Sequence, residues 1–175
     1  QAKDAAPTVD FTGGEWLVLG LARSGREVPN VDAYYQNVVA AVQEAIAKPR
    51  NDGRLDATKS TENSRLILAL TAIGKDPSNV GGYNLFKDLG DMKYVTYQGT
   101  NGPAFALLAL DSGNYEPYAG GDVTREALIT KLVELQMSSG GWYISDSNKV
   151  ADIDMTAMVV QALAPYYDTN ESAKT

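Results

Sequence analysis

Hydrophobic residues along this chain follow a helical period, and two kinds of segment alternate. In one kind, apolar residues recur every three or four positions, which predicts a helix with one solvent-exposed face. These amphipathic segments are 31–48, 83–89 and 124–137. In the other kind nearly every residue is apolar or small, which predicts a helix enclosed by other helices. These apolar segments are 12–22, 60–73, 101–110 and 152–167.

The apolar segments resemble one another and begin in the same way. Each contains a Gly-Leu or Ala-Leu pair, and the pairs recur at intervals of about 40 to 50 residues, a spacing typical of repeated helical hairpins. Eight residues before each pair stands a residue type favoured at helix N-caps. These residues are Thr12, Thr61, Asn101 and Asp154. We therefore predict that Asp154 caps the fourth apolar helix, whereas capping explains the neighbouring Asp152 less well.

No stretch of the sequence competes as a sheet. The segment 94–97, Tyr-Val-Thr-Tyr, is the one short strand candidate, and a single strand cannot form a sheet. The predicted fold class is all-α. We expect a polar leader at 1–11 belonging to an excised domain or a processed secreted chain, one repeat domain at 12–167, and a frayed tail or linker at 168–175.

Composition excludes several kinds of chemistry. The 175 residues include no Cys and no His, which excludes thiol nucleophiles, imidazole bases and Cys/His zinc sites. The net charge of −7 argues against nucleic acid as a partner. No apolar run approaches the ~20 residues of a membrane span. We predict no cofactor and no metal, although an oxygen-ligand calcium site at Asp146, Asp152 and Asp154 is an alternative.

Two motifs carry a resemblance to a known family. Gln136-Met137-Ser138-Ser139-Gly140-Gly141-Trp142 fits the Gln-x3-Gly-x-Trp core of the squalene and hopene cyclase repeat, and 152–157, Asp-Ile-Asp-Met-Thr-Ala, resembles the Asp-x-Asp-Asp-Thr-Ala segment of those enzymes. The resemblance implies a terpenoid cyclase/protein prenyltransferase-like α/α toroid, in which inner and outer helices alternate. Four inner helices would form a partial toroid, because a closed one has six.

A nearer resemblance is to toroid domains of secreted and cell-surface proteins of Gram-positive bacteria. It is carried by the stretches 70–77, 101–112 and 154–158. It implies an extracellular or cell-surface location and further domains in a larger protein. Animal cobalamin carriers have a related toroid, which implies that a corrinoid-like small-molecule carrier is one alternative.

The departures from the cyclase pattern weaken a catalytic interpretation. Asp154 stands where those enzymes have their proton donor, but Met155 replaces the following Asp. A strong proton donor needs neighbours that stabilise its anion. Prenyltransferase zinc ligands and thioester domains both require Cys, which is absent.

In such a toroid the N-termini of the inner helices face one end, so we expect a polar and aromatic mouth there. The candidate ligand-binding residues are Glu15, Trp16, Glu62, Asn63, Arg65, Tyr97, Gln98, Asn101, Trp142, Tyr143 and Asp152. Structural roles compete with this interpretation. Glu62 and Arg65 could form a surface ion pair, and Trp142 and Tyr143 could fill the gap between hairpins, with Gln136 tying a helix end to the next loop.

These patterns favour a non-catalytic binding, adhesion or scaffold module of a bacterial surface protein. Its partner would be a small polar ligand, a glycan or another protein. The alternative is an enzyme, either cyclase-like or sugar-active, that uses Asp154 or Asp152 as an acid.

Overall fold

The computed structural model describes residues 5–144, 147 and 149–174. That part of the chain forms α1 to α8, at Gly13–Arg23, Val31–Ala47, Ser60–Ala72, Phe86–Leu89, Met92–Thr96, Asn101–Asp111, Arg125–Glu134 and Ile153–Leu163. Short 3-10 helices lie at Pro49–Asn51, Ala164–Tyr166 and Glu171–Lys174. Its extended pairings are two isolated bridges, Val80 with Tyr83 and Trp142 with Asp152. The fold is therefore all-α, as the hydrophobic pattern predicts.

Four helices, α1, α3, α6 and α8, pack side by side in that order. They correspond to the four apolar segments of the sequence. Their N-terminal ends lie together: the ring of Trp16 in α1 is 6.0 Å from the ring of Phe105 in α6. At the start of α3, the hydroxyl of Ser60 donates to the carbonyl of Val95 in α5 and lies 3.1 Å from the position of a Cβ on Gly102, at the start of α6.

The C-terminal ends of the same helices also meet, so the four helices run parallel. The Oγ of Ser112, which follows α6, lies 3.4 Å from the Oγ1 of Thr71 in the last turn of α3. The hydroxyl of Tyr166, just beyond α8, donates to Asp111, the last residue of α6, at 2.7 Å. The residues that follow α1 border the end of α3.

The remaining helices pack against this row. The predicted apolar face of α2 is buried, with Tyr34, Val38 and Val42 fully enclosed. The α4 and α5 helices contact α3, and α5 and α7 contact α6. At the two ends of the chain, Pro7 is buried, and the last 3-10 helix packs on α7 with Ala173 buried. The described parts of the predicted leader and tail thus belong to the packed structure.

Three of the four predicted N-caps are wrong, and the fourth, Thr12, has the predicted position. Thr12 stands at the N-cap of α1 without a side-chain capping bond, while Thr61, Asn101 and Asp154 lie inside their helices. The cap of α8 is Asp152, whose Oδ1 accepts from the backbone N–H of Met155 at 2.8 Å. Asp154 lies within the first turn and does not cap the helix, so its carboxylate is not engaged by the backbone N–H groups of α8.

The strand candidate at 94–97 is also wrong, because most of it belongs to the short helix α5. The carboxylate of Asp91 accepts from the backbone N–H of Tyr94 at 3.1 Å and so caps this helix. The Tyr94 hydroxyl donates to the carbonyl of Asp56 at 2.7 Å. A local cap and this long-range bond outweigh the strand preference of a four-residue stretch.

Two glycines let backbone segments pack against the N-terminal ends of α1 and α6. A Cβ on Gly14 would lie 1.6 Å from the carbonyl oxygen of Thr8, and a Cβ on Gly102 would lie 1.7 Å from that of Val95. Any side chain at either position would have to displace backbone. Each glycine is the second residue of its helix. In both helices, therefore, the first turn packs directly against a backbone carbonyl.

We expect Asp152→Ala to lower the free energy of unfolding by about 1 kcal/mol, because the Met155 N–H loses its acceptor. Asp154→Ala should change it by less than about 0.5 kcal/mol, because Asp154 is exposed and does not cap the helix. Urea denaturation of both variants beside the wild type measures the difference. An equal or larger loss for Asp154→Ala would contradict this assignment of the cap.

Gly102→Ala should destabilise the fold by about 3 kcal/mol or more, because the added methyl group meets the Val95 carbonyl. Gly20→Ala is the matched control, since Gly20 lies within α1 and a Cβ added there would meet nothing within 4 Å. The control should be neutral or stabilising by up to about 1 kcal/mol. Thermal and urea unfolding compare the two, and similar stabilities would refute the packing constraint at Gly102.

Candidate functional site

The four parallel helices enclose a groove with a volume of about 880 Å³. Its walls are mostly apolar, and every one of the four helices contributes to them. The lining residues are Trp16, Leu19, Gly20, Arg23, Leu68, Phe105, Leu108, Asp111, Ser112, Asp154, Ala157, Met158 and Gln161. Along α1 and α8 these residues are mostly three or four positions apart, so each helix presents one face to the groove.

The N-terminal end of the groove combines aromatic rings with a carboxylate. The Trp16 side chain remains 45% exposed although it contacts Phe105, so one part of the indole is open to a ligand. Asp154, in the first turn of α8, lines the same groove and is exposed. An aromatic face beside a carboxylate attracts cations and polar groups bound to an apolar body.

The opposite end of the groove carries polar groups of both signs. Asp111 forms an ion pair of 2.8 Å with Arg125 and accepts from the Tyr166 hydroxyl. Arg23, the last residue of α1, and Gln161 complete this end. The charge of Asp111 is thus offset by its neighbour, whereas the Arg23 guanidinium faces the groove without an ion-pair partner in the described part of the chain.

Of the residues predicted to bind a ligand, Trp16 lines the groove and several others are enclosed beneath it. Glu15, Glu62 and Asn63 are buried. The amide of Asn63 donates to the carbonyl of Leu85 and to Asp88, both at 3.2 Å, so it holds α3 to the α4 region. The predicted open mouth is therefore wrong at these three positions, because the chain folds over them.

The remaining predicted residues on α3, α5 and α6 are divided between packing and surface. Arg65 donates through Nε to the carbonyl of Phe11 at 3.0 Å and does not pair with Glu62, which lies 3.7 Å from Lys59 instead. The Gln98 side chain accepts from the backbone N–H of Thr61 at 3.2 Å. Tyr97 is 68% exposed but does not line the groove. Asn101 lies at the start of α6 with its Oδ1 buried.

The predicted residues around the Gln…Trp motif have structural roles. Trp142 is buried and donates through Nε1 to the carbonyl of Leu132 at 2.6 Å, and Tyr143 is buried beneath Lys149. Gln136 donates to the carbonyl of Gly140 at 3.2 Å, which ties the end of α7 to the next loop. These contacts are structural, and none of the three residues lines the groove.

The proposed calcium site finds no support at its two described members. The carboxylate of Asp152 caps α8, and Asp154 lines the groove. The third proposed ligand, Asp146, lies outside the described residues. The described residues contain no group of three or more acidic side chains arranged to hold a metal ion. In that same part of the chain, no helix is both long and apolar enough to cross a membrane.

Sequence reasoning missed most of the groove. The four helices are apolar on nearly all sides, so hydrophobicity alone does not distinguish the groove face from the core face. The few polar residues on these helices are the sequence feature that could have indicated the groove. Arg23, Asp111 and Gln161 each interrupt an otherwise apolar segment near its C-terminal end, where the parallel packing brings them to one end of the groove.

Glu15 is a buried acid whose ionisation opposes folding. It is 1% exposed, its Oε1 accepts from the Tyr34 hydroxyl at 3.2 Å, and its Oε2 has no hydrogen-bond partner among the described residues. Burial raises the pKa of Glu15 from 4.5 to about 7, and the nearby charge of Asp10 adds to this increase. The carboxyl is therefore largely protonated below neutral pH.

This raised pKa predicts that the contribution of Glu15 to stability falls as pH rises from about 4.5 to about 7. In that interval the folded chain keeps a proton that the unfolded chain has released. Glu15→Gln, which mimics the neutral acid, should gain stability relative to the wild type across this interval by an amount on the order of 3 kcal/mol. Urea denaturation at a series of pH values measures the gain.

Glu116→Gln serves as the control for this titration, because Glu116 is exposed. The difference between this variant and the wild type should stay flat across the same pH interval. A flat difference for Glu15→Gln as well would contradict the assignment of a raised pKa to Glu15.

Comparison with known proteins adds no family assignment to this geometry. The chain matches no protein-family model, no curated protein and no solved structure. The proposed function therefore depends on the groove and on the residues that line it.

Proposed function

We propose that this chain is a non-catalytic binding module that holds the apolar body of a small ligand in the groove between α1, α3, α6 and α8. The observation that carries the proposal is the groove itself. Its volume of about 880 Å³ falls within the range of small-molecule sites, ~300–1,000 Å³. Apolar walls with a few polar groups at the ends are also typical of such sites.

The exposed indole of Trp16 supports this proposal. Large aromatic side chains at a concave surface supply contact area at low entropic cost. Leu19, Leu108 and Met158 extend the apolar wall beyond the indole toward the other end. Each flexible or branched side chain there gains from contact with an apolar ligand, at about 25 cal/mol for each Å² removed from water.

The resemblance to toroid domains supports a wider proposal about the molecule. A row of parallel helices, with the amphipathic helices packed against it, fits a partial α/α toroid, and the groove then corresponds to the central cavity of that architecture. The same resemblance supports an extracellular or cell-surface location within a larger bacterial protein. A binding role is consistent with both proposals.

An enzyme is the second candidate, and the observation that favours it is the free carboxylate of Asp154 in the groove. A two-acid mechanism needs a second available carboxyl. Among the described residues the other groove carboxylate is Asp111, which Arg125 and Tyr166 already engage, and Asp152 caps α8. Asp154 is also exposed, and within the described residues no donor is placed to hold its carboxylate in a fixed orientation.

The binding proposal predicts that a neutral apolar dye, N-phenyl-1-naphthylamine, binds in the groove and becomes fluorescent. Trp16→Ala should weaken dye binding at least about five-fold, because the largest exposed apolar surface of the groove is lost. Fluorescence titration of the dye with wild-type and variant protein measures the dissociation constants.

Leu17→Ala is the matched control for this experiment. Leu17 is the next residue of α1 and is 52% exposed, close to the exposed fraction of Trp16, but it lies outside the groove. Its replacement should leave the dissociation constant unchanged. Equal binding by all three proteins, or absence of binding to the wild type, would refute the proposal.

The enzyme alternative is tested with squalene as the probe, followed by chromatographic analysis of the products. We expect no cyclised product from the wild type. A product that forms with the wild type and disappears in Asp154→Asn would favour catalysis over binding alone.

A further inference from the structure

The groove contains one uncompensated charge of each sign, and the two lie at opposite ends. Asp154 stands in the first turn of α8 and Arg23 is the last residue of α1. Neither forms an ion pair or side-chain hydrogen bond within the described residues. The other charged group in the groove, Asp111, is paired with Arg125. An occupant that matches the groove would therefore carry a cation at one end and an anion at the other.

The N-terminal end is suited to an ammonium group. Asp154 supplies a negative charge, and Trp16 supplies the aromatic side chain that interacts most favourably with cations. The partial positive charge at the N-terminus of α8, about +0.5, is outweighed by the carboxylates of Asp152 and Asp154. Arg65 is near Phe105, with its guanidinium 5.8 Å from the ring centroid, but it does not line the groove.

The C-terminal end is suited to a carboxylate. A guanidinium donates two parallel hydrogen bonds to a carboxylate, a geometry that a single ammonium group cannot provide. Arg23 lies at this end and is exposed, so it can turn toward a bound anion. The side-chain amide of Gln161, which also lines the groove, offers an additional donor.

The distance between these two ends sets the length of the occupant. Trp16 and Arg23 are seven residues apart on one helix, which corresponds to about 10 Å along the axis. An extended peptide advances about 3.3–3.6 Å for each residue, so three or four residues reach from one end to the other. The walls between the ends are formed by leucine and methionine side chains, which favours apolar peptide side chains.

We infer that the groove binds a short apolar peptide of three or four residues with free termini, its ammonium group near Asp154 and its carboxylate near Arg23. This inference rests on the proposed function, because it names the ligand class of the same groove. The geometric basis is an apolar groove that carries two opposite charges, each without an ion-pair partner in the described residues, at ends that lie about 10 Å apart along the axis of α1.

The test uses the tripeptide Leu-Ala-Leu in four forms: with free termini, N-acetylated, C-amidated, and blocked at both ends. Quenching of Trp16 fluorescence reports binding, since Trp142 is buried. Blocking either terminus should weaken binding roughly two- to five-fold, the range expected for an exposed ion pair. Blocking both termini should combine the two losses.

Matched variants assign each terminus to its partner. In Asp154→Asn, acetylation should no longer weaken binding while amidation still does; in Arg23→Gln the pattern should be reversed. Glu27→Gln and Arg26→Gln are the controls, because both residues are exposed, close to α1 and outside the groove. They should behave as the wild type, and circular dichroism confirms that every variant is folded.

The outcomes separate this inference from the proposed function. Equal binding of all four peptides would overturn the inference and leave the groove as an apolar site. Failure of every peptide to bind, while the neutral dye binds and Trp16→Ala weakens it, would also overturn the inference alone. Failure of both the peptides and the dye would refute the inference together with the proposed function.

Discussion

The close approach of backbone carbonyls to Gly14 and Gly102 is the constraint on which the rest of the structure depends. In each case a carbonyl from the preceding segment occupies the space that a Cβ would fill, 1.6 and 1.7 Å from its position. These contacts hold the N-terminal ends of α1 and α6 against the chain that leads into them. Both helices line the groove. A side chain at either glycine would displace backbone next to a helix that lines the groove.

The same packing decides which acids are available to a ligand. The segment before α1 folds over Glu15, with the Thr8 carbonyl on Gly14 and Pro7 buried. Glu15 therefore becomes a buried acid with a raised pKa. At the other side of the groove, Asp152 is engaged by the Met155 N–H. Asp154 and Arg23 are the charged groups that the described structure leaves in the groove without a partner, which is why the proposed ligand is defined by those two residues.

The helices could be predicted from the sequence because their signal is repetitive. Apolar segments at 12–22 and 101–110 correspond closely to Gly13–Arg23 and Asn101–Asp111. Most of the N-caps could not be predicted from the sequence. Asp, Asn and Thr are common both at the N-cap and in the first helical turn, and only the direction of the side chain distinguishes the two positions. Asp152 and Asp154 show this directly: the structure exchanges the capping role predicted for them.

The groove could not be predicted for a related reason. In a helix that is apolar on all sides, the hydrophobic pattern does not show which face points to the core. Leu19, Leu108 and Met158 are therefore indistinguishable by hydrophobicity from residues of the core. Burial also depends on contacts far apart in sequence. Asn63 is enclosed because Leu85 and Asp88 fold over it, and nothing near Asn63 in the chain indicates this.

The most direct measurement of the central claim is backbone amide chemical-shift mapping by NMR while N-phenyl-1-naphthylamine is added. Binding in the groove predicts that the largest shifts occur at groove residues such as Gly20, Leu108 and Ala157, and that Val38 in α2 and Ile129 in α7 are unaffected. The largest shifts at α2 or α7, or shifts spread evenly over the chain, would contradict it.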